Sequence, residues 1–372
     1  MKLTRRMTLL SMTALLAAWQ TPLSAETAEE AIARLATTVL SSGPNGETPV
    51  AASTLSLTDE ERAKIRAMGA TAALVMQYSG TDWTNAQEAA LRATFGEMGI
   101  EVVAVTDAGF KADKQVSDIE TVMAQKPSII VSIPVDPVAT ASAYRAAFDA
   151  GTKLVFMDNV PAGFTAGVDY TASVSADNYG NGVVSAHLMA KALGGAGKIG
   201  IVYFAADFFV TNQRHEAFKA TITENYPDIE IVVDQGIGGP DFTGDADKAA
   251  SAMLVAHPDI KGIWAVWDLP AEGVMSAARA ADRTDLVITT IDLGENVGIE
   301  MAKGGMIKGI GAQRPYDQGV AEALLAGYAL LGKEAPAYVA LPALAIEQSS
   351  LLESWKTVYR AEAPASIRDS MK

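Results

Sequence analysis

The strongest constraint on the fold is a rhythm that sets in at Thr71. Apolar, β-branched runs recur as TAALVMQY, IEVVAVTD, PSIIVSIP, TKLVFMDN, KIGIVYFA, IEIVVDQG, IKGIWAVW and DLVITTID. Amphipathic stretches such as NAQEAALRATFGEMG and DKAASAMLVAHP lie between them. Strands that are apolar on both faces and alternate with helices form parallel sheets covered on each side. The pattern restarts after SVSADNYGNG, residues 173–182. A chain of 372 residues also exceeds one typical core. Two doubly wound α/β lobes are therefore predicted, with a boundary near residue 176.

Upstream of that rhythm the chain changes character twice. Lys2, Arg5 and Arg6 precede an apolar run from Met7 to about Ala18, and Leu23-Ser24-Ala25 supplies small residues for cleavage. This is the layout of a secretory signal peptide over residues 1–25, too short and wrongly flanked to span a membrane. Residues 26–69 then form an acidic, Ala-rich extension. AEEAIARLATTVL reads as a helix, SSGPNGETP as a loop, and a second helix starts at Thr58 with Glu61 completing a capping box. How this extension packs is left open by its sequence.

Charge and cysteine content narrow the function. The formal net charge is −15, and losing Lys2, Arg5 and Arg6 with the leader takes it to −18. Such a surface repels nucleic acid, so no polynucleotide partner is expected. The absence of cysteine excludes disulfides, thiolate nucleophiles and Cys-ligated zinc. His187, His215 and His257 show no metal-ligand spacing, and neither a metal nor a cofactor is expected. GGAGKIG, residues 194–200, contains a formal G-x-G-x-x-G, but it follows a helix and precedes a strand, the reverse of a dinucleotide-binding turn. It reads as a helix C-cap. DFTGDADKAA, residues 241–250, lacks the glycine and terminal Glu of a calcium loop; it offers Phe242 to a pocket, with a helix starting at Thr243 or Asp245.

In open α/β sheets ligands bind at the carboxyl ends of the strands, and there the polar residues of this chain gather. The first strand leads into Asp82 and Trp83; TKLVFMDN ends in Asp158 and Asn159. GIWAVWDLP, residues 262–270, ends in Trp267 and Asp268, DLVITTID in Asp292, and IKGIGAQRP in Gln313 and Arg314. Polar groups buried there without partners would cost about 1–3 kcal/mol each. Single aspartates at such ends also serve as helix caps, but polar ends on both lobes, interleaved with aromatics, point to a shared cleft.

The VSADN turn, the Q-R-x-E-A-F segment at Gln213–Phe218, the I-D strand end at Asp292 and GAQRPYDQG at 311–319 together resemble the periplasmic sugar-binding proteins of the ribose/galactose type. These are solute receptors of ABC transporters, and the resemblance covers roughly residues 70–346. It implies the type I periplasmic binding protein fold. One lobe would comprise 70–175 plus 314–341 and the other 176–313 plus 342–372, with hinges near 175–177, 313–314 and 341–343. By position, Trp83 matches an aromatic that stacks on a sugar face, Asp158 a carboxylate accepting two hydroxyls, and Arg214 the guanidinium of the second lobe. Phe242 matches a second-lobe aromatic, and Asp292 and Gln313 match polar groups near the hinge. Departures accompany these matches: Asn159 replaces an arginine, Ala176 a serine, Asp82 an aromatic and Trp267 an asparagine. The implied ligand is a small neutral sugar or polyol other than ribose. The implied partners are an inner-membrane permease of an ABC importer and, in sensing members, a chemoreceptor.

The residue types suit that ligand. Rings bury the C–H faces of a polyol at little conformational cost, while Asp, Asn, Gln and Arg serve its hydroxyl rim. An anionic ligand would recruit more than one confident cation; a cationic one could use the tryptophans. A glycosidase with two acids across the cleft is the alternative from another class, and a transcription regulator would need a basic helix-turn-helix that this N-terminus lacks.

Overall fold

A computed structural model describes residues 26–372; the predicted signal peptide, residues 1–25, lies outside the described residues. Among the described residues the strands assemble into two sheets. The first contains β1 (Val50–Ala51), β2 (Thr71–Met76), β3 (Glu101–Asp107), β4 (Ile129–Ser132), β5 (Lys153–Met157), β6 (Ser173–Ala176) and β12 (Tyr338–Leu341) in the order β1-β12-β6-β5-β4-β2-β3. All its neighbours run parallel. The second contains β7 (Gly197–Phe204), β8 (Ile229–Ile237), β9 (Ile260–Ala265), β10 (Val287–Ile291), β11 (Ile307–Ala312) and β13 (Leu344–Ile346), ordered β13-β11-β10-β9-β7-β8. Only β13 runs antiparallel to its neighbour there.

Burial explains why the strands read as unbroken apolar runs. On β2, Leu74 and Met76 join the core under α3 (Asp82–Glu97) and α11 (Pro315–Leu331), whereas Ala73 and Val75 join a second core under α4 (Ala112–Met123) and α5 (Ala141–Asp149). Both faces are buried, so no polar alternation survives. The second sheet is covered likewise. On one side lie α6 (Asn178–Leu193) and α7 (Phe209–Asn225), and on the other α8 (Phe242–Ala256) and α9 (Asp268–Ala280). Three short helices, α10 (Glu295–Ala302), α12 (Leu351–Tyr359) and α13 (Ala365–Ser370), complete this half. The chain passes between the sheets after Ala176, after Ala312 and after Leu341.

The extension has a packing that its sequence does not announce. Its first helix, α1 (Ala28–Leu35), stops at Leu35, ahead of the β-branched Thr37, Thr38 and Val39. Leu35 and Ile32 dock on Val184 and Leu188 of α6. Asp177, the N-cap of α6, then accepts hydrogen bonds from the backbone N–H of Leu40 (2.8 Å) and Ser41 (2.9 Å) and from Ser41 Oγ (2.8 Å). Beyond this point β1 pairs with β12 of the first sheet, and α2 (Asp59–Met68) packs on α11. The capping box at the start of α2 is present, with Glu61 N–H on Thr58 Oγ1 and Thr58 N–H on Glu61 Oε2. Residues 26–69 thus bind both halves of the molecule.

Gly194 caps α6 in the left-handed conformation (φ 69°), so the glycine-rich segment is a helix end and not a nucleotide loop. In the acidic segment the helix begins at Phe242, earlier than Thr243 or Asp245, because Asp241 caps it by accepting from Gly244 N–H at 3.0 Å.

Candidate functional site

The facing carboxyl ends of the two sheets enclose a cavity of about 90 Å3. Of the eleven residues singled out from the sequence, eight line it, namely Trp83, Asp158, Arg214, Phe242, Trp267, Asp268, Asp292 and Gln313, and Arg314, the N-cap of α11, does not. The other two stand elsewhere. Asp82 Oδ2 accepts from the backbone N–H of Glu295 at 2.7 Å, so this first-lobe acid clasps the N-terminus of α10 on the opposite lobe. Asn159 is turned into the first lobe, where its amide donates to Pro134 O at 3.1 Å.

The two tryptophans of GIWAVWDLP part company. Trp264 lies within β9, is fully buried, stacks on Phe218 at 4.8 Å and donates to Ser185 Oγ at 2.9 Å. Trp267 comes after the strand has ended and meets Phe242 at 5.0 Å and Phe204 at 5.7 Å at the cleft wall. Its neighbour Asp268 opens α9, and a Cβ at Gly294 would collide with Asp268 Oδ2. Glycine at 294 leaves room for that carboxylate.

A continuous polar chain joins the lobes. Asp158 Oδ1 accepts from Ser175 Oγ (2.5 Å), Ser175 Oγ accepts from Asn178 Nδ2 (3.0 Å), and Asn178 Oδ1 accepts from Arg214 Nε (2.8 Å). Arg214 Nη1 then donates to Val266 O (3.3 Å) and Asp292 Oδ2 (3.2 Å), and Gln313 Nε2 donates to Asp292 Oδ1 (2.8 Å). Close approach of α6 and α7 delivers Arg214 to this position, since a Cβ at Gly182 would run into the Arg214 carbonyl oxygen. Arg214 Nη2 has no hydrogen-bond partner among the described residues. Trp83 Nε1, Gln77 Oε1 and Gln313 Oε1 are also buried without partners, and all three residues line the cavity.

Desolvation shapes the charges. Burial lifts the Asp158 carboxyl to about 6, against the lowering influence of Ser175 and Arg214. It also lifts Asp268 well above the usual carboxylate range, and the charges of Asp292 and Glu272 push the same way. The acidic excess visible in the sequence is therefore muted inside the cleft.

Strand-end reasoning found Trp83 and Trp267 but missed other aromatics of the site. Phe204 ends β7, Phe110 follows β3, and Phe208 precedes α7, and all three line the cavity beside Tyr78 and Thr211. The same rule applied to every aromatic would have found Phe204 and Phe110. Ser175 and Asn178 lie in the VSADN turn, and the structure shows them linking Asp158 to Arg214.

A family model for the periplasmic binding protein domain matches residues 72–334. This chain belongs to that family. The resemblance read from the VSADN, Q-R-x-E-A-F and GAQRPYDQG segments agrees with the match. As a periplasmic binding protein it is a solute receptor and not an enzyme. The ribose import binding protein of Salmonella typhimurium is 24% identical over 244 residues, covering 65% of this chain and 78% of that protein. The D-apiose import binding protein of Actinobacillus succinogenes is 27% identical over 207 residues, 56% of this chain and 65% of that protein, just under two thirds of its length. A solved ABC sugar transporter subunit from Rhodobacter sphaeroides matches with a TM-score of 0.66 at 26% identity, covering 76% of this chain and 99% of that one. The extension up to residue 71 lies outside the span of the family model.

Proposed function

We propose that this periplasmic binding protein captures a small, neutral, hydroxyl-rich solute, a sugar or polyol, and hands it to the permease of an ABC importer. The observation that carries the reading is the composition of one cavity. Flat rings from both lobes stand beside polar atoms that have no protein partner: Trp83 Nε1, Gln77 Oε1 and Gln313 Oε1. A polyol meets both demands, because its C–H faces stack on rings and its hydroxyls donate and accept. Hydrogen bonds to charged groups contribute about 1.5–3 kcal/mol each. Three or four amount to about 5–12 kcal/mol, which with two stacked faces spans the roughly 8 kcal/mol of a micromolar complex before association entropy is subtracted. The raised pKa values of Asp158 and Asp268 favour a neutral guest over a cationic one. Relatives named as importers of ribose and D-apiose support the same class. Family membership implies a periplasmic location, which the leader at residues 1–25 would provide.

The three crossings between the sheets serve as a hinge in this reading. Ligand meets one lobe and is enclosed by the other, and the permease reads the closed form. A thermal-shift screen over polyols, pentoses, hexoses and sugar acids tests the ligand class, with chromatography of the recovered solute. Stabilisation by a neutral member that returns unchanged is expected; stabilisation by sugar acids alone would overturn it. Small-angle scattering tests the hinge, since an unchanged radius of gyration at saturation excludes closure.

A further inference from the structure

Among the described residues the Asp82 carboxylate has no hydrogen-bond partner inside its own lobe. Asp82 opens α3, yet that helix is capped without it: Thr84 N–H donates to Thr81 Oγ1 at 3.1 Å, and Thr81 N–H to Thr84 Oγ1 at 3.1 Å. The one donor to Asp82 is Glu295 N–H of the second lobe, at 2.7 Å. That donor lacks a cap of its own. The first N–H groups of a helix have no partner within the helix, and α10 begins after Gly294, which brings no side chain. Acids near it on the second lobe are engaged elsewhere. The Glu295 carboxylate accepts from Ser366 Oγ, and Asp268, which lies against Gly294, accepts from Leu269 N–H at 2.9 Å. The first lobe therefore supplies the cap, and with it a negative charge at the positive end of the helix.

Position turns this cap into a closure device. The lobes are joined by the crossings after Ala176, Ala312 and Leu341, whereas Asp82 stands at the cleft edge, next to Trp83 of the cavity wall. Opening the cleft breaks the bond and uncaps α10. A second contact between the lobes differs in both respects. Arg360, which follows α12, donates to Asp317 at 2.9 Å and 3.0 Å. Asp317 comes just after the Ala312 crossing, where hinge motion displaces it least, and the Arg360 side chain is 57% exposed. Exposed ion pairs contribute little. The Asp82 charge also presses on Asp268 and Glu272 across the cleft, so Asp82→Asn is the variant that removes the charge and keeps the acceptor.

We propose that Asp82 is a positioning residue for binding: without lining the cavity, it caps α10 across the cleft, holds the lobes closed and slows release of the solute. This rests on the closure reading above. The chain has no cysteine, so spin labels at Val138→Cys and Val255→Cys, exposed positions on the first and second lobes, report lobe separation by double electron–electron resonance. Distances are measured in the empty protein and with D-ribose, D-apiose, ribitol or glycerol, and stopped-flow tryptophan fluorescence follows release of the same four probes. For each probe that wild type binds, Asp82→Ala should release it at least tenfold faster, the size expected of one charge-assisted hydrogen bond, with association changed less than about threefold. Its label distances should regain an open population at saturation, and its closed fraction should fall in the empty protein, the arm that decides if none of the four binds. Asp82→Asn should stay within about threefold of wild type, since an amide oxygen also caps a helix. Release from Asp82→Ala at or below the wild-type rate, distances unmoved in that variant, or equal loss in both variants overturns the latch while leaving closure intact. Wild-type distances that no bound probe changes overturn closure itself.

Discussion

The two lobes end a strand on an aspartate in the same unusual way, and then treat it differently. Asp158 after β5 and Asp292 after β10 are both left-handed, at φ 53° and 71°, and each donates its N–H to the neighbouring strand, at Val174 O and Gly311 O. In the second lobe the carboxylate is paired at once, by Arg214 Nη1 at 3.2 Å and Gln313 Nε2 at 2.8 Å. In the first lobe it has Ser175 Oγ, and the Arg214 charge acts only from a distance. The result is one acid locked in an ion pair and another lifted to about 6. Identical backbone placement therefore does not give the two carboxylates the same partners: Arg214 of α7 and Gln313 after β11 hold Asp292, and Ser175 of β6 holds Asp158. The second lobe thus holds its acid in a completed ion pair, and the first leaves Asp158 with Ser175 alone beside the rings of the cleft.

If that contrast is right, the largest effect comes from removing the cation. Arg214→Ala leaves Asp292 mostly buried beside no positive charge, and losing one partner of a buried pair costs about 3–5 kcal/mol. Urea unfolding should show a loss of that size, and Asp292→Asn in the same chain should recover much of it. A loss below about 1 kcal/mol would mean that the pair is solvated and the second lobe is not preassembled.

Asp158 sharpens the other side. Its folded pKa is raised from 3.8 to about 6. The native state then holds a proton that the unfolded chain has released between those values. The stabilisation is complete below about pH 4 and is lost as pH rises through about 6, a difference of about 3 kcal/mol at 1.36 kcal/mol per pH unit. Asp158→Asn should remove this slope and be more stable than wild type by up to that amount above pH 6. Parallel stability curves for the two proteins between pH 4 and 7 would show that burial does not burden the Asp158 carboxylate.

Much of this contrast was readable before any coordinates, and the reason is periodicity. Continuous apolar strands with helices between them specify parallel sheets, and the strand-end rule then brings Trp83, Asp158, Asp292 and Gln313 to one cavity. What the chain alone concealed depends on direction. Asp82 sits one residue before Trp83, yet it points to the Glu295 N–H and not into the cavity. Trp264 and Trp267 differ in that the first is still in the strand and the second is beyond it. Ser175 and Phe110 were hidden for opposite reasons. The first is a small polar residue on a buried strand, and the second is an apolar residue in the loop beyond a strand end. The extension was opaque because its docking partners, α6 and β12, lie more than a hundred residues away in sequence.

A smaller effect distinguishes groups that await a ligand from groups that hold the fold. Trp83 Nε1 is buried without a partner, which costs about 1–3 kcal/mol in the empty protein. Trp83→Phe keeps most of the ring and deletes the donor. The empty protein should gain about 1 kcal/mol of stability, while affinity for the cognate polyol falls several-fold. Reduced stability in that variant would show that the indole N–H serves the first lobe and not the guest.

The smallest expected effect lies on the extension, which belongs to neither half-site. Ser41 Oγ is one of several donors on Asp177, beside the backbone N–H groups of Leu40, Ser41 and Gly180. Its hydroxyl also accepts from Tyr179 N–H at 3.0 Å. Ser41→Ala removes both bonds but leaves Asp177 three backbone donors, so the loss should be about 1 kcal/mol. Because Asp177 lies where the chain first crosses between the sheets, the same substitution should also loosen the strap there. Hydrogen exchange would then quicken at residues 40–41 and 179 and stay unchanged at Asp292 and Gln313. Faster exchange spreading into the second-lobe half-site would tie the extension to the ligand side of the molecule and erase the distinction between strap and site.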